Sequence, residues 1–140
     1  MIKNLSYNTK KNRAILSEIV GRPFSLIERI RLKGIGSGKL IIIDASEEIV
    51  ELLRLDNNIN YCNIELRTNG IIIRFRSLLE TYGLIIPFYK LVIYKGESKI
   101  YSFYKDKYYI KFMADNKKTS LFVKKIVGLK IKFQNKVGFN

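Results

Sequence analysis

The chain has 140 residues, an apolar fraction of 47% and a formal charge of +14. That length is expected to form one domain with a core of its own, and the apolar content excludes a disordered chain. A single cysteine, Cys62, and the absence of histidine exclude an internal disulfide, Cys- or His-ligated zinc, and Ser-His or Cys-His nucleophilic systems.

At the N-terminus, Met1 to Asn8 lacks the charged-then-apolar run of a secretion signal, and Lys10, Lys11 and Arg13 interrupt the next stretch, so the cytoplasm is the expected compartment. From Asn12 the residues Ile15, Leu16, Ile19 and Val20 have helical spacing, and Gly21 with Arg22-Pro23 stops that helix. The next piece, Phe24 to Leu32, fits two patterns. Phe24, Leu26, Ile30 and Leu32 alternate as in a strand, while Leu26, Ile27 and Ile30 fit a helix begun by Pro23. Gly34 to Gly38 reads as a flexible turn, and Leu40 to Ile43 as a short buried strand. Ser46 is placed to cap a helix that carries Glu47 and Glu48 in its first turn and Ile49, Leu52 and Leu53 on one face, ending near Leu55.

Asn69-Gly70 predicts a type I′ turn joining Tyr61–Arg67 to Ile71–Arg76. On the second of these strands Ile71, Ile73 and Phe75 alternate with Ile72, Arg74 and Arg76, the pattern of a half-exposed antiparallel strand. Leu84–Tyr94, Ile100–Tyr104 and Tyr108–Met113 continue the sheet, with turns at Lys95 to Ser98 and Lys105 to Lys107 and an edge or bulge at Pro87. The longest apolar run, Leu78 to Tyr94, contains Glu80, Pro87 and Lys90 and reads as buried strand, since a spanning helix needs about 20 nearly uncharged residues. After Asp115-Asn116 the stripe Phe122, Ile126, Leu129, Phe133 and Val137 predicts a lysine-rich amphipathic helix with Gly128 as a weak point. Such a stripe either caps the sheet or lies in a lipid headgroup layer, and capping is the commoner use.

Two motifs resemble catalytic elements and lack the context their chemistry needs. Gly34-Ile35-Gly36-Ser37-Gly38-Lys39 is followed by Leu40 and a strand, where a phosphate loop needs Ser or Thr and a helix. Glu97-Ser98-Lys99 spells a metal-nuclease element but falls in a hairpin turn, with only Asp44 or Asp56 as further carboxylates. Glu65 and Glu80 form an acid–base pair only if the fold joins them, and Cys62 on an alternating strand reads as a small buried hydrophobe. The aromatics Phe88, Tyr89, Tyr101, Phe103, Tyr104, Tyr108 and Tyr109 alternate with lysines as on single-stranded nucleic-acid surfaces, yet aromatics are also ordinary strand residues and no base-reading cluster accompanies them. No catalysis, metal or cofactor is expected.

The run from Asn60 through Asn69-Gly70 to Ile86-Pro87-Phe88-Tyr89-Lys90-Leu91 resembles the strands of small uncharacterised bacterial proteins and, more loosely, is similar to bacterial pleckstrin-homology-like (PH-like) domains. The resemblance implies an Ile-Pro strand and a final helix that closes the sheet, over Leu40 to Phe133. The helical Asn12–Val20 segment is extra, and no lipid-headgroup signature is present. The fold expected is therefore α+β in a single domain, 1–140: an N-terminal helical segment (1–33), a mostly antiparallel sheet or partly open barrel (40–113) and a C-terminal amphipathic helix (116–137).

The charge is unevenly spread. Nine Lys/Arg against Glu18 and Glu28 give +7 up to Lys39, thirteen lysines against Glu97, Asp106 and Asp115 give +10 from Lys90 onward, and the middle carries −3. Such basic ends point to an anionic partner, a nucleic acid or an anionic lipid surface, and the latter would place the protein peripherally at the inner membrane face. The candidate contacts are Lys117, Lys118, Lys124, Lys125, Lys130 and Lys132 on the last helix, with Arg74 and Arg76 on the sheet. The alternative is a protein-interaction or assembly domain in which an edge strand such as Leu84–Tyr94 pairs with another chain.

Overall fold

A computed structural model describes residues 2–55, 60–97 and 99–136. Val137 of the helical stripe, Asp56 and Ser98 lie outside the described residues. After a short strand β1 (Ile2–Asn4), Thr9 caps α1 (Lys10–Val20) by accepting from the Asn12 amide at 3.1 Å. Gly21 ends that helix at φ 82°, ψ 173°, a conformation open to glycine. The ambiguous segment is helical, as α2 (Leu26–Arg31), because Ser25 and Glu28 form a reciprocal capping box: Glu28 accepts from the Ser25 amide at 2.8 Å and Ser25 accepts from the Glu28 amide at 3.3 Å.

Strand β2 (Leu40–Ala45) leads into α3 (Glu47–Leu53), which begins at Ser46 as expected. The Ser46 side chain does not cap it, however, because its hydroxyl accepts from the Tyr109 amide at 3.1 Å. The hairpin of β3 (Tyr61–Arg67) and β4 (Gly70–Ser77) also differs from expectation. Arg67 pairs with Gly70, so Thr68-Asn69 is the loop, and neither Asn69 nor Gly70 has positive φ. The turn is shaped by α1: the Asn69 amide donates to the Val20 carbonyl at 2.8 Å, and Gly70 is needed for close approach, not for a left-handed turn.

The apolar run Leu84–Tyr94 is two strands. Strand β5 (Glu80–Pro87) lies between β4 and β1, whereas β6 (Val92–Lys95) stands at the far edge beside β7 (Ile100–Lys105), which pairs in turn with β8 (Tyr108–Met113). Pro87 closes β5 beyond Leu84, the last residue paired with β1, so it costs no ladder bond there. The chain continues into α4 (Lys117–Lys136). The described strands form one open antiparallel sheet in the order β1-β5-β4-β3-β2-β8-β7-β6.

Both faces of this sheet are used. Ile71, Ile73, Phe75, Leu84, Phe103 and Phe112 join Phe122, Val123 and Ile126 of α4 in the main core, so the α4 stripe is interior rather than free for lipid. On the opposite face Leu16 and Val20 of α1 bury Ile72 and Ile85. The outer face of β4 is thus covered at Ile72 and exposed only toward Arg76, which corrects the half-exposed expectation. No described helix is long and apolar enough to cross a membrane.

Candidate anion-binding surface

The two basic ends of the chain meet where α2 lies beside α4. At the end of α2, Lys33 at φ 59° and Gly34 at φ 101° turn the backbone, with the Gly34 amide donating to the Arg29 carbonyl at 2.9 Å. This aims the Gly34 carbonyl at α4, where Lys125 Nζ donates to it at 3.1 Å. Burial, and then the charge of Lys33, push the Lys125 ammonium below its ordinary pKa. Its Nζ also lies 5.6 Å from the centre of the Phe122 ring. Arg22 is neutralised by a two-point pair with Glu28 at 2.7 and 3.0 Å, and that guanidinium holds the Glu28 carboxyl down at about 2. Arg29, Arg31, Lys33 and Lys125 have no ion-pair partner among the described residues. Lys33 and Lys125 are thus held close without a compensating acid from those residues.

The glycine-rich segment is held more firmly than a flexible turn. The Leu66 amide donates to the Ile35 carbonyl at 2.7 Å, the Ser37 amide to the Ile64 carbonyl at 2.9 Å, and the Ile64 amide to Ser37 Oγ at 2.8 Å. These bonds lay residues 35–37 along β3 and spend the Ser37 amide, one of the backbone donors a phosphate loop would offer. Lys39 continues to the sheet face, its Nζ 5.3 Å from the centre of the Tyr61 ring.

The six candidate lysines of α4 do not share one surface. At about 100° per residue, Lys118, Lys125 and Lys132 fall on one flank, Lys117 and Lys124 point away from the core stripe, and Lys130 falls between Ile126 and Val123 on the half-buried side that faces the core. An open pocket of about 580 Å³ is lined by Arg22, Glu28, Thr68, Asn69, Lys132, Phe133 and Lys136, which puts the Lys132 flank on the α2 side. The two sheet arginines are elsewhere. Arg74 pairs with Glu65, which also takes Arg67 at 2.6 Å, and Arg76 opens toward a pocket of about 520 Å³ with Lys39, Tyr61 and Asn63. That pocket lies toward the Ser77 end of β4, about 20 Å from the Asn69 turn at strand rise.

Glu65 and Glu80 are not joined. Glu80 accepts from Ser6 and from Asn4 Nδ2, the latter at 3.1 Å, and these bonds lower its pKa, so neither carboxyl is poised as an acid. Among the described residues no group of three or more His, Cys, Asp or Glu side chains converges as a metal site. The expected aromatic surface divides as well. Phe88, Tyr101 and Phe103 are buried, while Tyr94 meets Tyr104 edge to face and Tyr104 lies tilted against Tyr109, with ring centres 5.4 and 5.2 Å apart. Acids border that strip: Tyr109 donates to Asp44 at 3.0 Å, and Asp106 shares a shallow pocket with Tyr94 and Tyr104. A polyanion gains little there.

Sequence reasoning missed Arg29, Arg31, Lys33 and Lys136, and it missed the exposure of Leu26, Ile27 and Ile30 at 73%, 64% and 69%. A signal was present, since the arginines at 29 and 31 bracket Ile30. Burial raises the Cys62 thiol to about 12. A disulfide reagent at neutral pH is therefore expected to leave Cys62 unmodified in the native protein and to react stoichiometrically in denaturant. Rapid native labelling would contradict its burial.

No family model, curated protein or solved structure matches this chain.

Proposed function

We propose that this protein is a non-enzymatic binding module for an anionic, phosphate-bearing partner, with the α2–α4 junction as its contact face. The observation that carries the reading is the junction of Lys125 and Lys33, residues from the two basic ends, brought together with no acid among the described residues to neutralise them. Holding like charges together costs stability in the free protein and is relieved when an anion binds. The acidic middle of the chain supports the same polarity. Glu47, Glu48 and Glu51 lie on α3, whose Leu52 carbonyl accepts from Ser77 at the far end of β4.

A PH-like fold is part of the proposal. It is supported by the antiparallel order of β2 to β8, by Ile86-Pro87 ending β5 and by α4 packed on the core; α1 on the outer face is the addition. The site of action proposed is the cytoplasm or the inner face of its membrane. Titration with single-stranded RNA, duplex DNA and anionic vesicles in parallel tests the reading. Binding to at least one of them is expected, weakening steeply as salt rises through counterion release. Absence of binding at low salt, or binding indifferent to salt, would overturn it. A second reading, assembly with another protein, rests on β6, one of the two edge strands of the described sheet, where Val92 and Tyr94 are exposed. A salt-resistant homodimer would favour it.

A further inference from the structure

We infer that α2 is an interfacial wedge that docks the protein on an anionic lipid bilayer. The inference rests on the anion-binding reading and names the partner. Leu26, Ile27 and Ile30 fall within an arc of about 100° on the helix, and all three side chains project into solvent. Arg29 flanks that arc on one side and Arg31 on the other, while Glu28 lies behind it and is occupied by Arg22. Aliphatic side chains at the centre with guanidinium groups on both flanks match the acyl–headgroup boundary, where hydrocarbon lies beneath a layer of phosphate.

The wedge is also firmly mounted. Its start is fixed by the Ser25–Glu28 capping box, Phe24 before it packs on the main core, and the turn after it is tied to Lys125. A six-residue helix so anchored keeps its apolar face outward at the cost of leaving that surface in water. Lipid fits this surface better than nucleic acid, because a phosphodiester backbone offers nothing apolar to receive three aliphatic side chains. The α4 stripe is closed to lipid because Phe122 and Ile126 are already buried.

The test uses the full chain with vesicles of equal parts phosphatidylglycerol and phosphatidylcholine, vesicles of phosphatidylcholine alone, and a single-stranded oligonucleotide. The wild type is expected to bind the anionic vesicles in preference to the neutral ones. The double variant Ile27→Ser/Ile30→Ser is expected to lose on the order of tenfold or more in vesicle affinity and to keep whatever oligonucleotide affinity the wild type has. Leu79→Ser removes an apolar side chain that is 87% exposed at the β4–β5 turn, the opposite end of β4, and is expected to change nothing. Because the chain has nine tyrosines but no tryptophan, Ile27→Trp provides a single tryptophan that can be excited selectively at the red edge of its absorption, and its emission is expected to shift to the blue on anionic vesicles. Wild-type vesicle affinity in the double variant, an equal loss on the oligonucleotide, or an Ile27→Trp emission spectrum that stays solvent-like on the vesicles would overturn the wedge. Oligonucleotide binding without vesicle binding would overturn the wedge alone and leave anion binding standing, whereas binding at low salt to none of the vesicles, the oligonucleotide and duplex DNA would remove both.

Discussion

Gly70→Ala is expected to cost about 3 kcal/mol or more, lowering the melting temperature by roughly 10 °C. A methyl group at that position would lie 2.4 Å from the Ile86 carbonyl oxygen, 2.7 Å from Val20 Cγ1 and 2.8 Å from Pro87 Cα. Two of those atoms are β5 backbone and cannot rotate away, so the strand pair or α1 must move. Backbone strain plays no part, since φ at Gly70 is not positive. Gly128→Ala gives the contrast: nothing lies within 4 Å of its added methyl, and a gain of up to about 1 kcal/mol is expected from helix propensity. Thermal melts of the two variants check the account. A Gly70→Ala protein that melts with the wild type would show that the strands do not approach so closely.

Glu65→Gln is expected to cost about 2–4 kcal/mol, because it leaves a buried guanidinium without its carboxylate. Arg67 is 8% exposed and, among the described residues, otherwise donates from its side chain only to the Gly21 carbonyl, at 3.3 Å, while Arg74 loses the same partner. Burial alone would raise the Glu65 pKa, but hydrogen bonds and charge from Arg74 and then Arg67 outweigh it and hold the carboxyl below its ordinary value. A depressed folded-state pKa stabilises fully above the unfolded value, about 4.3, and that contribution disappears as pH falls through the folded value. Denaturant melts across the acid range should therefore show the wild type losing stability faster than Glu65→Gln below about pH 4. Parallel curves would contradict the pairing.

Much of the secondary structure was legible because periodicity and caps are local. The helix at Lys10–Val20, the strand pair at Tyr61–Ser77 and the helix at Lys117–Lys136 all follow from apolar spacing and from Gly21 or the Asn69 turn. The misreadings were set by distant contacts. The Thr68-Asn69 loop takes its shape from the end of α1, Ser46 gives its hydroxyl to Tyr109, and the run Leu84–Tyr94 breaks at Phe88–Leu91 to reach the other end of the sheet. The candidate site was legible in charge but not in place. Lys125 and Lys132 were identifiable as cations, and helical spacing sets them apart from Lys130, yet their meeting with Lys33 and α2 depends on chain closure across some ninety residues.

The measurement that bears most directly on the proposed contact face is the salt dependence of binding for three charge reversals, Lys33→Glu, Lys125→Glu and Lys130→Glu, titrated with the same anionic vesicles. A basic residue close to an anionic bilayer contributes about 1 kcal/mol that salt screens, so losing one should weaken binding at low salt and flatten its salt dependence. The account predicts weaker binding and a flatter slope for Lys33→Glu and Lys125→Glu, with a Lys130→Glu protein close to the wild type. Equal losses at all three positions would contradict it, because they would mean that net charge acts alone and that the α2–α4 junction has no special role.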